Sequence, residues 1–180
     1  MDLFAVSDFS KPLTERMRPQ QLENIIGQEH ILAKGKLLYR AVQADKLGST
    51  ILWGPPGTGK TTLAHVIANV TKAHFEELNA TESGKSEIAR VVRSAKDRLM
   101  MHGQKTILFI DEIHRFNKAQ QDTLLPHVEQ GIIVLIGATT QNPYYEINDA
   151  LISRSRVFKL NSINDYHIRT LLLRALEQDS

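Results

Sequence analysis

From Gly48 onward, short apolar runs alternate with segments in which apolar residues recur every three or four positions. Thr50-Ile51-Leu52-Trp53, His74 to Asn79, Lys105 to Ile110, Ile132 to Gly137 and Arg156 to Leu160 have the length of strands, and the longest are almost wholly apolar. Between them, Lys60 to Val70 carries Leu63, Ala64, Ile67 and Ala68 at helical spacing, and Gly84 to Met100 carries Ile88, Val91, Val92, Ala95 and Leu99. Asn117 to Glu129 supplies a third helix. Apolar strands each followed by a helix predict an α/β fold with a parallel sheet covered on both faces. Upstream, Ile31, Leu37, Leu38, Ala41 and Val42 predict a helix from Gln28 to Ala44, with Gly35 as its candidate break. Residues 1–20 read as an extended arm, interrupted by Pro12 and Pro19 and solvated by Lys11, Glu15, Arg16 and Arg18. Asn164 is placed to cap a last helix bearing Ile168, Leu171, Leu172, Ala175 and Leu176. No strand follows that helix, so it is expected to open a further subdomain.

Composition narrows the chemistry. The 180 residues include no cysteine, which excludes disulfides, a thiol nucleophile and cysteine-ligated metal. The seven histidines show no paired ligand spacing, so no zinc site is expected. A net charge of +2 is too small to announce nucleic acid by itself. The run from Gly131 to Ala138 is too short to span a bilayer, and Met1 to Asp8 lacks the regions of a signal peptide. The expectation is a soluble, cytoplasmic protein.

Gly54-Pro55-Pro56-Gly57-Thr58-Gly59-Lys60-Thr61 matches the phosphate-loop pattern G-x-x-x-x-G-K-[ST] in full, after a strand and before a helix. Glycines let such a loop wrap a polyphosphate with its N–H groups turned inward, and the helix N-terminus adds partial positive charge. Lys60 is placed to reach the β- and γ-phosphates, and the Thr61 hydroxyl to ligate Mg²⁺. Downstream, the apolar strand Ile107-Leu108-Phe109-Ile110 ends in Asp111-Glu112. Asp111 is the candidate metal-shell carboxylate and Glu112 the candidate group that polarises an attacking water. Asp111-Glu112-Ile113-His114 also spells a D-E-x-H box, but paired helicase motors need a longer chain; His114 reads as a structural residue after the acids. The strand at Ile132 to Gly137 runs into Ala138-Thr139-Thr140, where a hydroxyl can hold a water or the γ-phosphate. Arg154 and Arg156 lie where the fifth strand begins, as a solvated basic turn or as a source of an arginine acting on a neighbouring subunit.

Taken together these motifs resemble the AAA+ ATPases. The closer resemblance is to the replication-associated recombination protein A family, also called the MgsA or Werner-helicase-interacting protein family, a clamp-loader-like branch. It rests on Glu15-Arg16-Met17-Arg18-Pro19, Ile26-Gly27-Gln28-Glu29-His30, the segment Ile51 to Thr62, Gly137-Ala138-Thr139-Thr140-Gln141-Asn142-Pro143 and, most specifically, Arg115-Phe116-Asn117-Lys118-Ala119-Gln120-Gln121. The resemblance implies a three-layer P-loop fold whose five-stranded sheet is ordered 5-1-4-3-2. It implies an arm at 1–20, a nucleotide-binding core at 21–162 and the first helix of a lid subdomain at 163–180, with the rest of the lid and an oligomerisation region expected beyond it. ATP and Mg²⁺ are the implied ligands. Arg18, Pro19, Ile26 and Gly27 are implied at the adenine, and Gly54 through Thr62 at the phosphates. Thr140 is cast as a sensor of the γ-phosphate, Asn79 as a switch holding Glu112 aside until DNA binds, and Arg154 as a finger reaching the next subunit of a homo-oligomer. Ser155 stands where related clamp loaders carry cysteine. DNA ends or single-stranded gaps, and proteins of the stalled replication fork, are the implied partners, with nucleoid association.

Two other readings stay open: a Holliday-junction branch-migration ATPase, which shares Asp-Glu-Ile-His and Gly-Ala-Thr-Thr, and a nucleotide-switched scaffold with little turnover. Lys85, Arg90, Arg93, Lys96 and Arg98 form a solvated helix face or a DNA-facing one. The loop from Ala80 to Lys85 is a surface loop or a channel lining. Tyr144 and Tyr145 are expected to pack into their loop, and Trp53 into the core.

Overall fold

The structure, a computed structural model, describes residues 12–178; most of the expected arm, residues 1–11, lies outside the described residues. Five strands, β1 (Thr50–Trp53), β2 (His74–Asn79), β3 (Thr106–Asp111), β4 (Ile133–Thr139) and β5 (Arg156–Lys159), form one sheet in the order β2-β3-β4-β1-β5. Every pairing is parallel. The order is the one the resemblance implies.

Alternation along the strands sends side chains into two separate cores. Leu108, Ile110, Ile133, Leu135 and Ile51 face one side, where α5 (Lys85–His102) contributes Ile88, Val91 and Ala95 and α6 (Lys118–Glu129) contributes Leu124. Ile107, Phe109, Ile136, Ala138 and Leu52 face the other, against Leu38 and Val42 of α3 (Leu37–Gln43) and Leu63, Ala64 and Ile67 of α4 (Lys60–Thr71). Double-sided burial is why the central strands read as unbroken apolar runs. β2 and β5 are the two edge strands; Glu76 and Glu77 of β2 are the polar residues such an edge tolerates.

Ends of elements follow local chemistry. Asn117 and Gln120 form a capping box at the start of α6: each side-chain oxygen accepts the other's backbone N–H at 2.9 Å. Asn164 accepts from the His167 N–H at 2.9 Å and opens α9 (Asp165–Gln178) as expected. The helix expected from Gln28 to Ala44 is instead two, α2 (Glu29–Leu32) and α3, separated around Gly35. At the amino end, α1 (Leu13–Arg16) is a single helical turn where the sequence suggested extended chain. Two one-turn helices, α7 (Pro143–Glu146) and α8 (Asp149–Ser153), join β4 to β5. No helix among the described residues is long and apolar enough to cross a membrane.

Candidate nucleotide site

The parallel sheet brings the carboxyl ends of β1, β3 and β4 to one edge, where loops converge. From β1 the chain turns through residues 54–59 into α4. Gly57 and Gly59 have φ of +73° and +89°, and a Cβ on either would project into open space. The left-handed backbone rather than crowding therefore demands glycine there. Gly54 is glycine for the opposite reason: a Cβ would lie 2.5 Å from the Leu160 carbonyl oxygen.

A cavity of about 430 Å³ sits over this loop, lined by Pro56 through Thr62 and by Asp111, Glu112 and Thr140. Lys60 is largely buried, and its Nζ donates to the Gly54 and Pro55 carbonyls, both at 2.8 Å. Burial pulls its amine pKa down, while the Glu112 and Asp111 carboxylates oppose that shift. Asp111 Oδ1 accepts the Glu112 N–H at 3.0 Å. Glu112 has φ of +51°, a left-handed conformation costly for a residue with a side chain. Its Oε2 lies 3.4 Å from the Thr140 hydroxyl and 3.3 Å from His114 Nδ1.

A second cavity of about 750 Å³ adjoins the first and shares Thr58, Gly59 and Thr62 with it. Arg18, Pro19, Ile25 and Ile26 form one wall, and Ile163, Leu171 and Arg174 the other. Arg174 donates to the Asn24 carbonyl at 3.1 Å, tying α9 across the opening.

The donor set fits a magnesium-bound triphosphate. A glycine loop at a helix N-terminus and a lysine amine suit phosphate oxygens, and the Thr61 hydroxyl and the Asp111 carboxylate, both lining the cavity, are the hard oxygen donors that Mg²⁺ takes. The neighbouring cavity, with a proline, two isoleucines and an arginine, suits a planar base.

Several expectations change. Gly27, Gly54 and Pro55 are not among the residues lining the two cavities. Gly27 is buried beneath the His167 ring, Gly54 lies against β5, and Pro55 presents its carbonyl to Lys60. The Asn79 side-chain oxygen accepts the Thr81 N–H (2.9 Å) and hydroxyl (2.7 Å) within its own loop, and the Glu112 carboxylate has its contacts with Thr140 and His114 instead. Arg154 lies away from its own chain's cavity, bonded to Glu129 and to the Ala150 carbonyl. Trp53 is only partly buried, with the Lys159 amine 5.2 Å from its ring centre. Tyr144 and Tyr145 are exposed, not packed. On α5, Lys85, Arg90, Arg93 and Lys96 are solvated, whereas Arg98 turns to Thr106 and Glu76.

Two residues gain a place that spacing did not give them. His114, read as structural, is in contact with Glu112. Gln28, quoted only for its resemblance, is buried and donates through Nε2 to the Thr58 carbonyl (3.1 Å) and the Asn161 carbonyl (2.8 Å), while its Oε1 accepts the Asn161 N–H (3.0 Å). It joins the phosphate loop to the exit of β5.

Comparison with known proteins agrees with this geometry. The model of the ATPase family associated with various cellular activities (AAA) matches residues 50–163. Replication-associated recombination protein A of Escherichia coli strain K12 is 52% identical over 174 residues, which is 94% of this chain and 39% of that protein. ATPase WRNIP1 of Dictyostelium discoideum is 49% identical over 166 residues, 92% of this chain and 19% of that protein. Among solved structures, the Thermotoga maritima RuvB Holliday junction branch migration motor superposes with a TM-score of 0.73 at 29% identity, over 90% of this chain and 54% of that one. The chain thus spans about two-fifths of the length of the bacterial relatives it matches. With a phosphate loop, an acidic strand end and a five-stranded parallel sheet around one cavity, and with sequence similarity to replication-associated recombination protein A along nearly its whole length, the chain belongs to the AAA family of ATPases.

Proposed function

We propose that this chain is the ATP-binding and ATP-hydrolysing core of a DNA-dependent AAA+ ATPase acting in DNA replication, recombination and repair. The observation that carries the reading is the convergence of Lys60, Thr61, Asp111, Glu112 and Thr140 on one cavity from three strand ends. The bacterial relatives' name, replication-associated recombination protein A, supports the DNA role.

In this reading Arg18, Pro19 and Ile26 hold the adenine, and residues 56–62 surround the phosphates. Lys60 exchanges its loop carbonyls for β- and γ-phosphate oxygens. Thr61 and Asp111 hold the magnesium ion, which supplies charge neutralisation on those phosphates. Glu112 orients a water in line with the γ-phosphorus and takes its proton. The water oxygen bonds to phosphorus as the bond to the bridging oxygen breaks, and that electron pair leaves on ADP. Thr140 contacts both Glu112 and the γ-phosphate. Arg154 acts on the site of a neighbouring copy in a homo-oligomer. Its exposed pairing with Glu129, a kind of contact worth about 0–1 kcal/mol, is readily exchanged for a phosphate. DNA ends or gaps stimulate the assembly at stalled forks, where fork proteins are its partners.

The test is ATPase activity of the intact protein with and without single-stranded DNA ends. Lys60→Ala should abolish nucleotide binding or turnover, and Glu112→Gln should keep ATP bound but stall hydrolysis. Mixing Arg154→Ala with Glu112→Gln subunits should restore turnover if the arginine acts between copies. Undiminished turnover in Lys60→Ala would refute the reading. The likeness to RuvB favours a second one, a branch-migration motor; strand exchange on four-way junctions would support it.

A further inference from the structure

We propose that His114 is a positioning residue that fixes the Glu112 carboxylate at the wall of the nucleotide cavity. The proposal rests on the ATPase reading above and adds to it a residue that the sequence placed outside the chemistry.

Glu112 has a left-handed backbone and stands at the N-cap of one turn of 3-10 helix, Ile113–Arg115. The chain thereby curls so that the imidazole two positions on faces back toward the carboxylate. The His114 side chain is 9% exposed, and its Nδ1 lies 2.9 Å from Thr139 Oγ1 and 3.3 Å from Glu112 Oε2. An ionised carboxylate can only accept, so Nδ1 must carry the proton for this arrangement to be attractive. Thr139 is compatible with that tautomer. Its oxygen accepts the Gln141 N–H at 3.0 Å, and its own proton has the Gln141 carbonyl, 3.4 Å away, to go to. The Nδ1–H therefore points to the Thr139 oxygen, with the Glu112 carboxylate beside it at ion-pair distance. The Thr140 hydroxyl approaches the same Oε2 from the end of β4 at 3.4 Å.

The consequence is orientation. A glutamate has three rotatable side-chain torsions, and a base that must meet one water gains from having them restricted. Both contacts fall on Oε2, which leaves Oε1 to take the water's proton. Anchoring also comes from β4, the strand that presents Thr140, so the sensor and the base are held by one strand end. Asn79, the partner the resemblance implied, accepts from Thr81 through its side-chain oxygen, while the Glu112 contacts are with His114 and Thr140.

The experiment measures ATP turnover and ATP affinity of the intact protein carrying His114→Ala, His114→Asn or His114→Gln, alone and with Glu112→Gln. An asparagine amide reproduces the Nδ1 donor, whereas a glutamine reaches the Nε2 position. We expect His114→Ala to lower kcat by about 10- to 100-fold, the range of a misplaced catalytic group, with ATP affinity unchanged. Asparagine should recover most of that loss and glutamine little. Added to Glu112→Gln, His114→Ala should change the residual rate by less than about twofold, because residues acting through one group are not additive. Wild-type kcat in His114→Ala, equal rescue by glutamine, or a fully multiplicative loss in the Glu112→Gln background would each overturn the proposal. If Glu112→Gln itself retains wild-type turnover, the role of Glu112 as the base fails and takes the proposal with it; if the wild-type protein turns over no ATP, the ATPase reading itself fails. If Glu112→Gln stalls while all three His114 variants turn over normally, only the role of His114 falls.

Discussion

Gln28→Leu isolates the tie between the phosphate loop and the exit of β5. Leucine keeps the approximate volume and removes all three hydrogen bonds of the buried amide: to the Thr58 carbonyl, to the Asn161 carbonyl and from the Asn161 N–H. Each bond contributes about 1 kcal/mol net, and each backbone group left without a partner away from water costs about 1–3 kcal/mol. The expected loss is about 3 kcal/mol, which in a domain of this size lowers Tm by roughly 10 °C. Urea unfolding measures it directly by linear extrapolation. Trp53, the single tryptophan, sits where β1 enters the phosphate loop and reports on that region by fluorescence. ATP affinity should weaken as well, since Thr58 lines both cavities and loses the anchor of its carbonyl. A loss below about 1 kcal/mol with unchanged ATP affinity would show that the amide bonds merely replace equivalent bonds to water, and the argument for a mechanical tie would fail.

Gly54→Ala should destabilise the protein by about 1–3 kcal/mol, the usual range for overpacking, because the obstacle at 2.5 Å is the Leu160 backbone and not a movable side chain; an unchanged melting curve would refute this. Two histidines predict a pH dependence. Burial lowers the pKa of His65, aided by the Arg18 guanidinium, and burial lowers that of His127, aided by Lys96. Below about pH 6.5 the unfolded chain takes up protons on these rings while the folded chain resists, so stability falls as pH falls from there through the folded values. Combined His65→Gln and His127→Phe replacement should flatten the urea-unfolding free energy over that range, and an unaltered slope would refute it.

Much of the site was legible because its parts are local. The phosphate loop is one uninterrupted run, and Asp111-Glu112 follows an apolar strand whose buried faces leave little doubt about its type. The rest depended on contacts that local pattern does not encode. Gln28 reaches Asn161, which nothing between them foreshadows. His114 meets Glu112 only because Glu112 adopts a left-handed backbone, a conformation no rule assigns to glutamate. Arg154 reads as a basic turn because its partner, Glu129, lies at the end of a different helix. The tyrosines at 144 and 145 were expected to pack, yet α7 is a single turn, too short to bury them. Strand order came from family resemblance, since alternating strands and helices are compatible with several crossovers.

The position of β1 has a consequence for biosynthesis. This strand leads directly into the phosphate loop, yet both of its neighbours, β4 from Ile133 and β5 from Arg156, are translated long after it. While the ribosome extends the chain, Thr50–Trp53 has no lattice to join, and the loop it feeds cannot acquire its shape. Contacts of such sequence separation form slowly, and β1 must be inserted between two strands rather than added at an edge. Nascent chains should therefore gain nucleotide affinity abruptly, only after β5 has emerged.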